Sequence, residues 1–132
     1  MISGVISGKM WVINFKECDK LELISKELGK LLEKDYQYSG TLILEEILTN
    51  VKKYAYKEID KNQKLLIFYI PSEHPTLYFL DYGIPFDPTM FIPEEIYKNQ
   101  IGGHGLRIVK NYASFMEYKR TQEGANVLKI VL

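Results

Sequence analysis

Residues 65–80 read L-L-I-F-Y-I-P-S-E-H-P-T-L-Y-F-L, which is two apolar runs on either side of a turn. Leu65 to Ile70 and Leu77 to Leu80 each have the length and apolar character of a buried strand. Pro71 to Pro75 between them supplies turn-forming residues. This stretch predicts a β-hairpin, and the remaining elements are placed around it.

Three further segments have the character of strands. Lys9 to Phe15 is rich in β-branched and aromatic residues. Phe115 to Thr121 and Asn126 to Leu132 flank a turn at Gly124, and the last segment alternates between two sets of side chains, as a strand does. A second hairpin at the end of the chain is therefore predicted.

Helical periodicity occupies the regions between these strands. Apolar residues at helical spacing predict a helix from Leu21 to about Lys34, with Asp19 as its N-cap. Ser39 is predicted to cap a second helix. Its apolar stripe is Leu44, Leu48, Val51 and Ala55, and its other face carries Glu46, Asn50 and Tyr54 at i, i+4 spacing.

Beyond the first hairpin, the segment from Gly83 to Gln100 contains three prolines and no sustained period, which predicts a long surface segment of the kind that often forms lids or binding loops. Helical spacing resumes at Leu106. The order of elements predicts an α+β fold: a two-layer sandwich in which a mixed, mostly antiparallel sheet carries helices on one face. We expect residues 1–132 to form a single domain, which at this size buries roughly two-thirds of its unfolded surface.

Composition and charge exclude several function classes. The chain has 17 Lys and Arg and 17 Asp and Glu residues, so it offers no field for binding polyanions, and nucleic acid is not expected as a partner. Cys18 is the only cysteine, which excludes an internal disulfide and suits a reducing compartment such as the cytoplasm. The longest apolar run, Leu65 to Ile70, is far shorter than the roughly 20 residues of a membrane span, so neither an anchor nor an export signal is expected.

The first candidate site is on the second predicted helix. Glu46 and Asn50 are four residues apart and project from the same side of a helix, where two oxygen donors can meet a hard cation or its water. The same pair is common on solvated helix faces. Asn has a poor helix propensity, however, and a binding site would explain its position in the middle of a helix.

The second candidate follows the first hairpin. Asp81 at the end of an apolar strand can accept a hydrogen bond from an exocyclic amine, and Gly83 allows the backbone to come close to a planar ring. Asp and Gly are also ordinary turn formers at strand ends.

The third candidate is Gly102-Gly103-His104-Gly105, directly before a predicted helix. Exposed backbone N–H groups and the helix N-terminus together suit a phosphate. Neither a Walker loop nor a dinucleotide-binding fingerprint is present, which disfavours those two nucleotide classes. A flexible hinge is the alternative interpretation.

Taken together and in this order, the three motifs resemble a known family. E-E-I-L-T-N-V-K-K-Y-A-Y at 45–56, F-L-D-Y-G-I-P-F-D-P at 79–88, I-G-G-H-G-L-R-I-V at 101–109 and A-N-V-L-K-I at 125–130 are similar to the anti-sigma-factor serine/threonine kinases of the GHKL ATPase superfamily. The resemblance extends from about Leu21 to the end of the chain. It implies the ATP-binding Bergerat fold, with ATP and Mg²⁺ as cofactors.

The resemblance also implies a role for each motif residue. Asn50 would bind the Mg²⁺ that bridges the phosphates. Asp81 would accept a hydrogen bond from the adenine amine, and Gly83 would let the ring approach. Gly103, His104 and Gly105 would form part of a lid over the phosphates. Glu46 would be the general base for a serine or threonine hydroxyl of a partner protein.

By the same resemblance the partners would be a sigma factor and an anti-sigma-factor antagonist. Family members of this kind are often homodimers. Two positions depart from the family pattern: Tyr54 stands where His is usual, and Gln100-Ile101 precede the glycines where a family kinase can have an Arg. The second departure removes a cation that would stabilise the transferring phosphoryl group. Lys98 and Arg107 are candidates to replace that cation. ATP binding is therefore a firmer expectation than kinase activity, and two alternatives stay open: a non-catalytic nucleotide-binding interaction module and a detached histidine-kinase catalytic domain.

Overall fold

A computed structural model describes residues 8–15, 20–56, 64–85, 87–90 and 103–132, with the backbone alone for Met90 and for residues 103–106. The strands are β1 (Lys9–Asn14), β2 (Lys64–Ile70), β3 (Thr76–Asp81), β4 (Phe115–Arg120) and β5 (Asn126–Val131). The α-helices are α1 (Leu21–Gly29), α2 (Gln37–Asn50) and α3 (Gly103–Tyr112). Shorter turns are the 3-10 turns Lys34–Tyr36 and Pro88–Met90 and the π-turn Val51–Ala55.

The five described strands form one sheet in the order β1-β2-β3-β5-β4. Every neighbouring pair is antiparallel. The prediction of an α+β fold with a mostly antiparallel sheet is confirmed. Both predicted hairpins pair as expected, and β5 lies between β3 and β4.

The core lies between one face of this sheet and α2. Alternate residues of β2 and β3 are buried, as the pleat requires when one face is covered, whereas Met10 and Val12 of β1 on the other face are more than half exposed. Four residues of α2 are at most 2% exposed, and burial of each contributes about 1.5–3 kcal/mol. They are Ile43, Leu44, Ile47 and Leu48.

The first helix is shorter than predicted. It ends at Gly29 rather than near Lys34, and Gln37 donates hydrogen bonds from Nε2 to the carbonyls of Lys30 and Leu32 just beyond its end. A Cβ on Gly29 would lie 1.8 Å from Oγ1 of Thr41, so glycine allows α1 to pack closely on α2. Leu21–Lys34 periodicity therefore spans a helix, a break and a turn.

Two predicted caps have different outcomes. Ser39 is not the cap of the second helix: α2 begins two residues earlier at Gln37, and Ser39 lies inside its first turn. The cap residue, Tyr36, makes no side-chain capping bond. Asp19 lies outside the described residues, and Lys20 occupies the cap position of α1.

Candidate functional site

A narrow pocket opens between the C-terminal part of α2 and the sheet. It contains about 370 Å³ of empty space, including its open mouth. We refer to this narrow pocket as the slot. The lining is mainly apolar with a few polar groups, which is typical of small-molecule sites. The lining residues are Ile47, Asn50, Val51, Ala55, Phe79, Asp81, Pro88, Tyr118, Asn126 and Leu128.

Asn50 is the last residue of α2 and is only 4% exposed. Its Nδ2 donates a 2.6 Å hydrogen bond to the backbone carbonyl of Glu46, one turn earlier. The π-turn that follows replaces the next α-helical turn, so the backbone widens at the wall of the pocket. The bond to Glu46 fixes the Asn50 amide through its nitrogen, and Oδ1 accepts no hydrogen bond from the described residues.

Asp81 closes β3 on the covered face of the sheet and is 5% exposed. Its Oδ1 accepts hydrogen bonds from the Gly83 N–H at 2.9 Å and from Nδ2 of Asn126 at 2.8 Å. Burial raises the pKa of Asp81 above its usual 3.8, while these two donors and nearby Arg120 act in the opposite direction. The carboxyl group is therefore buried but well supplied with donors at one oxygen.

Asn50 and Asp81 share a feature that indicates a ligand. Among the described residues, neither Oδ1 of Asn50 nor Oδ2 of Asp81 accepts a hydrogen bond, yet no buried polar side-chain atom is left without a partner. Both oxygens must therefore reach accessible space, and the pocket is the space that their residues line. The slot thus presents a carboxylate oxygen and an amide oxygen as acceptors.

The structure gives Gly83 a packing role. A Cβ at this position would lie 2.3 Å from the carbonyl oxygen of Ala55, and the adjacent Ile84 N–H donates a 2.9 Å hydrogen bond to that same oxygen. Glycine is therefore required here by the π-turn that forms one wall of the slot, whether or not a planar ring also approaches it.

Glu46 lies one turn before Asn50 on α2 and is not among the lining residues of the slot. Partial burial raises its pKa above 4.5, and the neighbouring Glu45 carboxylate raises it further. A carboxyl group with a raised pKa is suited to accept a proton near neutral pH.

The glycine motif is only partly described. Gly103, His104 and Gly105 form the first turn of α3, so this helix begins three residues earlier than the periodicity from Leu106 indicates. Gly102 lies outside the described residues, as do Lys98, Gln100, Ile101 and Cys18. Of the predicted segment Gly83 to Gln100, residues 83–85 and 87–90 are described, and Pro88 contributes to the slot.

The predicted face of Glu46, Asn50 and Tyr54 runs from α2 into the π-turn that follows it. That face assumes 3.6 residues per turn, but residues 51–55 form a π-turn with i→i+5 hydrogen bonding, which rotates the side chains after Asn50. Tyr54 is half-buried, and the ammonium group of Lys53 lies 5.4 Å from its ring centre.

Sequence reasoning gave no role to three polar residues beside Asp81. Tyr118 and Arg120 on β4 both donate hydrogen bonds to Oδ1 of Asn126 on β5. Asn126 stands within the quoted motif A-N-V-L-K-I, next to a turn, where asparagine is unremarkable as a turn former. Its alignment opposite Asp81 depends on the register between β3 and β5, which the sequence alone does not define.

The described residues contain no group of three or more His, Cys, Asp or Glu side chains able to hold a metal ion. A divalent cation at Asn50 would therefore take most of its ligands from elsewhere, as Mg²⁺ does when it is bound through phosphates and waters. In the part of the chain with described structure, no helix is long and apolar enough to cross a membrane.

Comparison with known proteins gives one family and one fold. The family model described as histidine kinase-like ATPase domain matches residues 21–132, from α1 to the end of the chain. No curated protein gives a significant match. Among solved structures, a chain in the crystal structure of the SiaB–SiaC complex from Pseudomonas aeruginosa is similar with a TM-score of 0.61 and 10% identity, over 94% of this chain and 88% of that one.

Proposed function

The chain belongs to the histidine kinase-like ATPase family, and from this premise we propose that it binds ATP together with Mg²⁺ in the slot beside α2. The observation that carries the proposal is the convergence of Asn50 and Asp81, two buried polar residues from distant parts of the chain, on one apolar pocket. Each leaves an oxygen available there. Buried polar groups need partners, and a nucleotide with its cation supplies both.

Asp81 is proposed to hold the adenine. Its free Oδ2 is an acceptor suited to the exocyclic amine, and Phe79 and Leu128 of the lining would supply apolar contacts to a ring. Gly83 keeps the wall of the slot in place by its contact with Ala55.

Asn50 is proposed as the protein ligand of Mg²⁺, through Oδ1. Its amide is oriented for this task by the bond from Nδ2 to the Glu46 carbonyl. When bound, Mg²⁺ neutralises charge on the phosphates of ATP. Gly103, His104 and Gly105 are proposed to contact those phosphates from the first turn of α3, where backbone N–H groups and the helix dipole favour anions.

We further propose that the protein transfers the γ-phosphoryl group to a serine or threonine of a partner protein. Glu46 would accept the hydroxyl proton while the hydroxyl oxygen bonds to phosphorus and the bond to ADP breaks. The raised pKa of Glu46 supports this role. By resemblance to anti-sigma kinases, the substrate would be an anti-sigma-factor antagonist in the cytoplasm, and a homodimer would hold the sigma factor.

A non-catalytic interaction module is the second candidate, favoured by the absence of an Arg at Gln100-Ile101. The SiaB–SiaC structure is a complex of two proteins, and this supports a protein partner for either candidate. The two functions differ only in whether phosphate moves.

Calorimetric titration of ATP, with and without Mg²⁺, tests nucleotide binding. Wild-type protein should bind ATP more tightly with Mg²⁺, and Asp81→Asn should lose most of the affinity. Glu117→Gln is the matched control, because it changes a partly exposed carboxylate on β4. This variant should bind ATP as tightly as the wild type. Absence of ATP binding by the wild type would refute the proposal.

Transfer is tested with radiolabelled ATP and candidate antagonist proteins. Loss of transfer in Glu46→Gln with ATP binding retained supports the kinase. Stable partner binding by the wild type with no labelled product supports the interaction module.

A further inference from the structure

The side chain of Asn126 links Asp81 to a second layer of polar groups. Its Nδ2 donates to Oδ1 of Asp81 at 2.8 Å and to the carbonyl of Ile84 at 2.9 Å. Its Oδ1 accepts hydrogen bonds from the Tyr118 hydroxyl at 2.5 Å and from Nη1 of Arg120 at 2.9 Å. Asn126 is 4% exposed, so its amide is buried at the centre of these bonds.

This arrangement fixes which end of the Asn126 amide faces Asp81. Tyr118 and Arg120 both donate to the Asn126 oxygen, and an amide nitrogen could not accept those bonds. The NH₂ group is therefore held toward the carboxyl group. Arg120 also donates from Nη1 to the carbonyl of Gly83 at 2.7 Å, which fastens the segment after β3 to the same cluster.

The two oxygens of the Asp81 carboxyl group therefore have different roles. Oδ1 already accepts from Asn126 and from the Gly83 N–H. Both donors favour the ionised form of the carboxyl group, in which Oδ2 is an acceptor with no proton to donate. Oδ2 accepts no hydrogen bond from the described residues, and the carboxyl group to which it belongs lines the slot and is held by the two bonds to Oδ1.

We propose that Asn126 is a positioning residue that makes the slot select a 6-amino purine over a 6-oxo purine. This inference rests on the proposed binding of ATP at Asp81. An amine hydrogen pairs with Oδ2, whereas an oxo group would set two acceptors against each other in a mainly apolar pocket. Unpaired buried polar groups of this kind discriminate strongly between ligands.

A purely structural role for Asn126 gives a different expectation. If the residue only joined β5 to the segment after β3, its loss would loosen the whole slot and weaken all purine nucleotides equally. The ratio of affinities for two nucleotides that differ at one ring substituent therefore distinguishes the two roles.

The test compares ATP with inosine triphosphate, which carries an oxo group in place of the amine, by calorimetric titration in Mg²⁺. Wild-type protein should prefer ATP by tenfold or more. In Asn126→Ala, affinity for ATP should fall roughly tenfold, equivalent to one hydrogen bond, while affinity for inosine triphosphate should change less than threefold. The preference should largely disappear.

Tyr118→Phe provides a second variant that keeps the ring and removes only the hydroxyl donor to Asn126. It should lower the preference for ATP over inosine triphosphate by about threefold. If Asn126→Ala does not fold, Tyr118→Phe tests the proposal in its place. Lys119→Ala is the matched control, because its side chain is 72% exposed on the opposite face of β4 and should leave both affinities unchanged.

An unchanged preference in the variants, or equal weakening of both nucleotides, would overturn the role of Asn126 while leaving ATP binding intact. Failure of the wild-type protein to bind either nucleotide would instead refute the proposed function, and this inference with it.

Discussion

Asp81 and Asn126 are register partners on β3 and β5, and their side chains are joined by a 2.8 Å hydrogen bond on the covered face of the sheet. The pair stands at the end of the slot that also contains Asn50. The buried carboxyl group thereby takes its hydrogen bonds from neutral donors, with the charge of Arg120 nearby, and this has consequences for both stability and binding.

The first prediction concerns the pH dependence of stability. The pKa of Asp81 is raised above 3.8 in the folded protein, so the native state keeps this proton at pH values where the unfolded chain has lost it. The contribution of Asp81 to the unfolding free energy therefore falls as pH rises from about 3.8 through the raised pKa, and is constant above it. In Asp81→Asn this dependence is absent.

Urea unfolding of the wild type and Asp81→Asn at several pH values measures the effect. The unfolding free energy of the wild type minus that of the variant should decrease across this window. A difference that stays constant, or that grows with pH, would show that burial of the carboxyl group does not control its ionisation.

The second prediction concerns Tyr56, whose hydroxyl joins three elements. It donates to the carbonyl of Lys64 at 2.6 Å and accepts from the N–H of Tyr82 at 2.9 Å. Mainly through burial, the pKa of Tyr56 is raised to about 12, so the hydroxyl stays protonated at neutral pH. Tyr56→Phe leaves both backbone groups unpaired and should lower the unfolding free energy by about 1–3 kcal/mol.

Tyr36→Phe is the matched control for this measurement by chemical denaturation. The Tyr36 hydroxyl makes one exposed bond of 3.3 Å, to the carbonyl of Glu73. Its removal should change stability by less than about 0.5 kcal/mol. Equal effects of the two substitutions would contradict the bridging role of Tyr56.

The third prediction concerns the contact between Gly83 and the π-turn. A methyl group at Gly83 would lie 2.3 Å from the carbonyl oxygen of Ala55 and 2.7 Å from its Cβ. Gly83→Ala should therefore destabilise the protein by about 1–3 kcal/mol, as overpacking does. Thermal unfolding measures the change.

The double variant Gly83→Ala with Ala55→Gly identifies the atoms responsible. Since the two nearest atoms belong to the Ala55 backbone, removal of the Ala55 methyl group should not restore stability. Full recovery would mean that the side-chain contact, not the backbone contact, requires glycine.

The sequence predicts the strands and two residues of the slot, Asn50 and Asp81, but it does not predict the helix ends and hydrogen bonds around them. The hairpin at residues 65–80 and the alternation after Asn126 predict the sheet because burial of one face imposes a period of two. The end of α1 and the π-turn after Asn50 were missed, because both depend on tertiary contacts: Gly29 against Thr41, and Gly83 against Ala55. The periodicity of a single segment does not predict such contacts.

Asp81 can be predicted as a site residue from the sequence, whereas its hydrogen bond with Asn126 cannot. Asp81 was a candidate because it ends an apolar strand beside a glycine, which is a pattern within three residues. The partnership with Asn126 joins positions 45 residues apart and depends on strand register. A lone asparagine beside a turn does not reveal it.

The last prediction concerns Glu46 as the proposed base. If it accepts the hydroxyl proton, the rate of phosphoryl transfer should rise with pH as Glu46 ionises, with its midpoint above 4.5 because burial and Glu45 raise the pKa. Glu45→Gln removes one of these causes, so the midpoint should move to lower pH while transfer persists. Glu46→Gln should abolish transfer at every pH and retain ATP binding. A pH profile that is the same in Glu45→Gln and the wild type would exclude Glu46 as the group whose ionisation limits the rate.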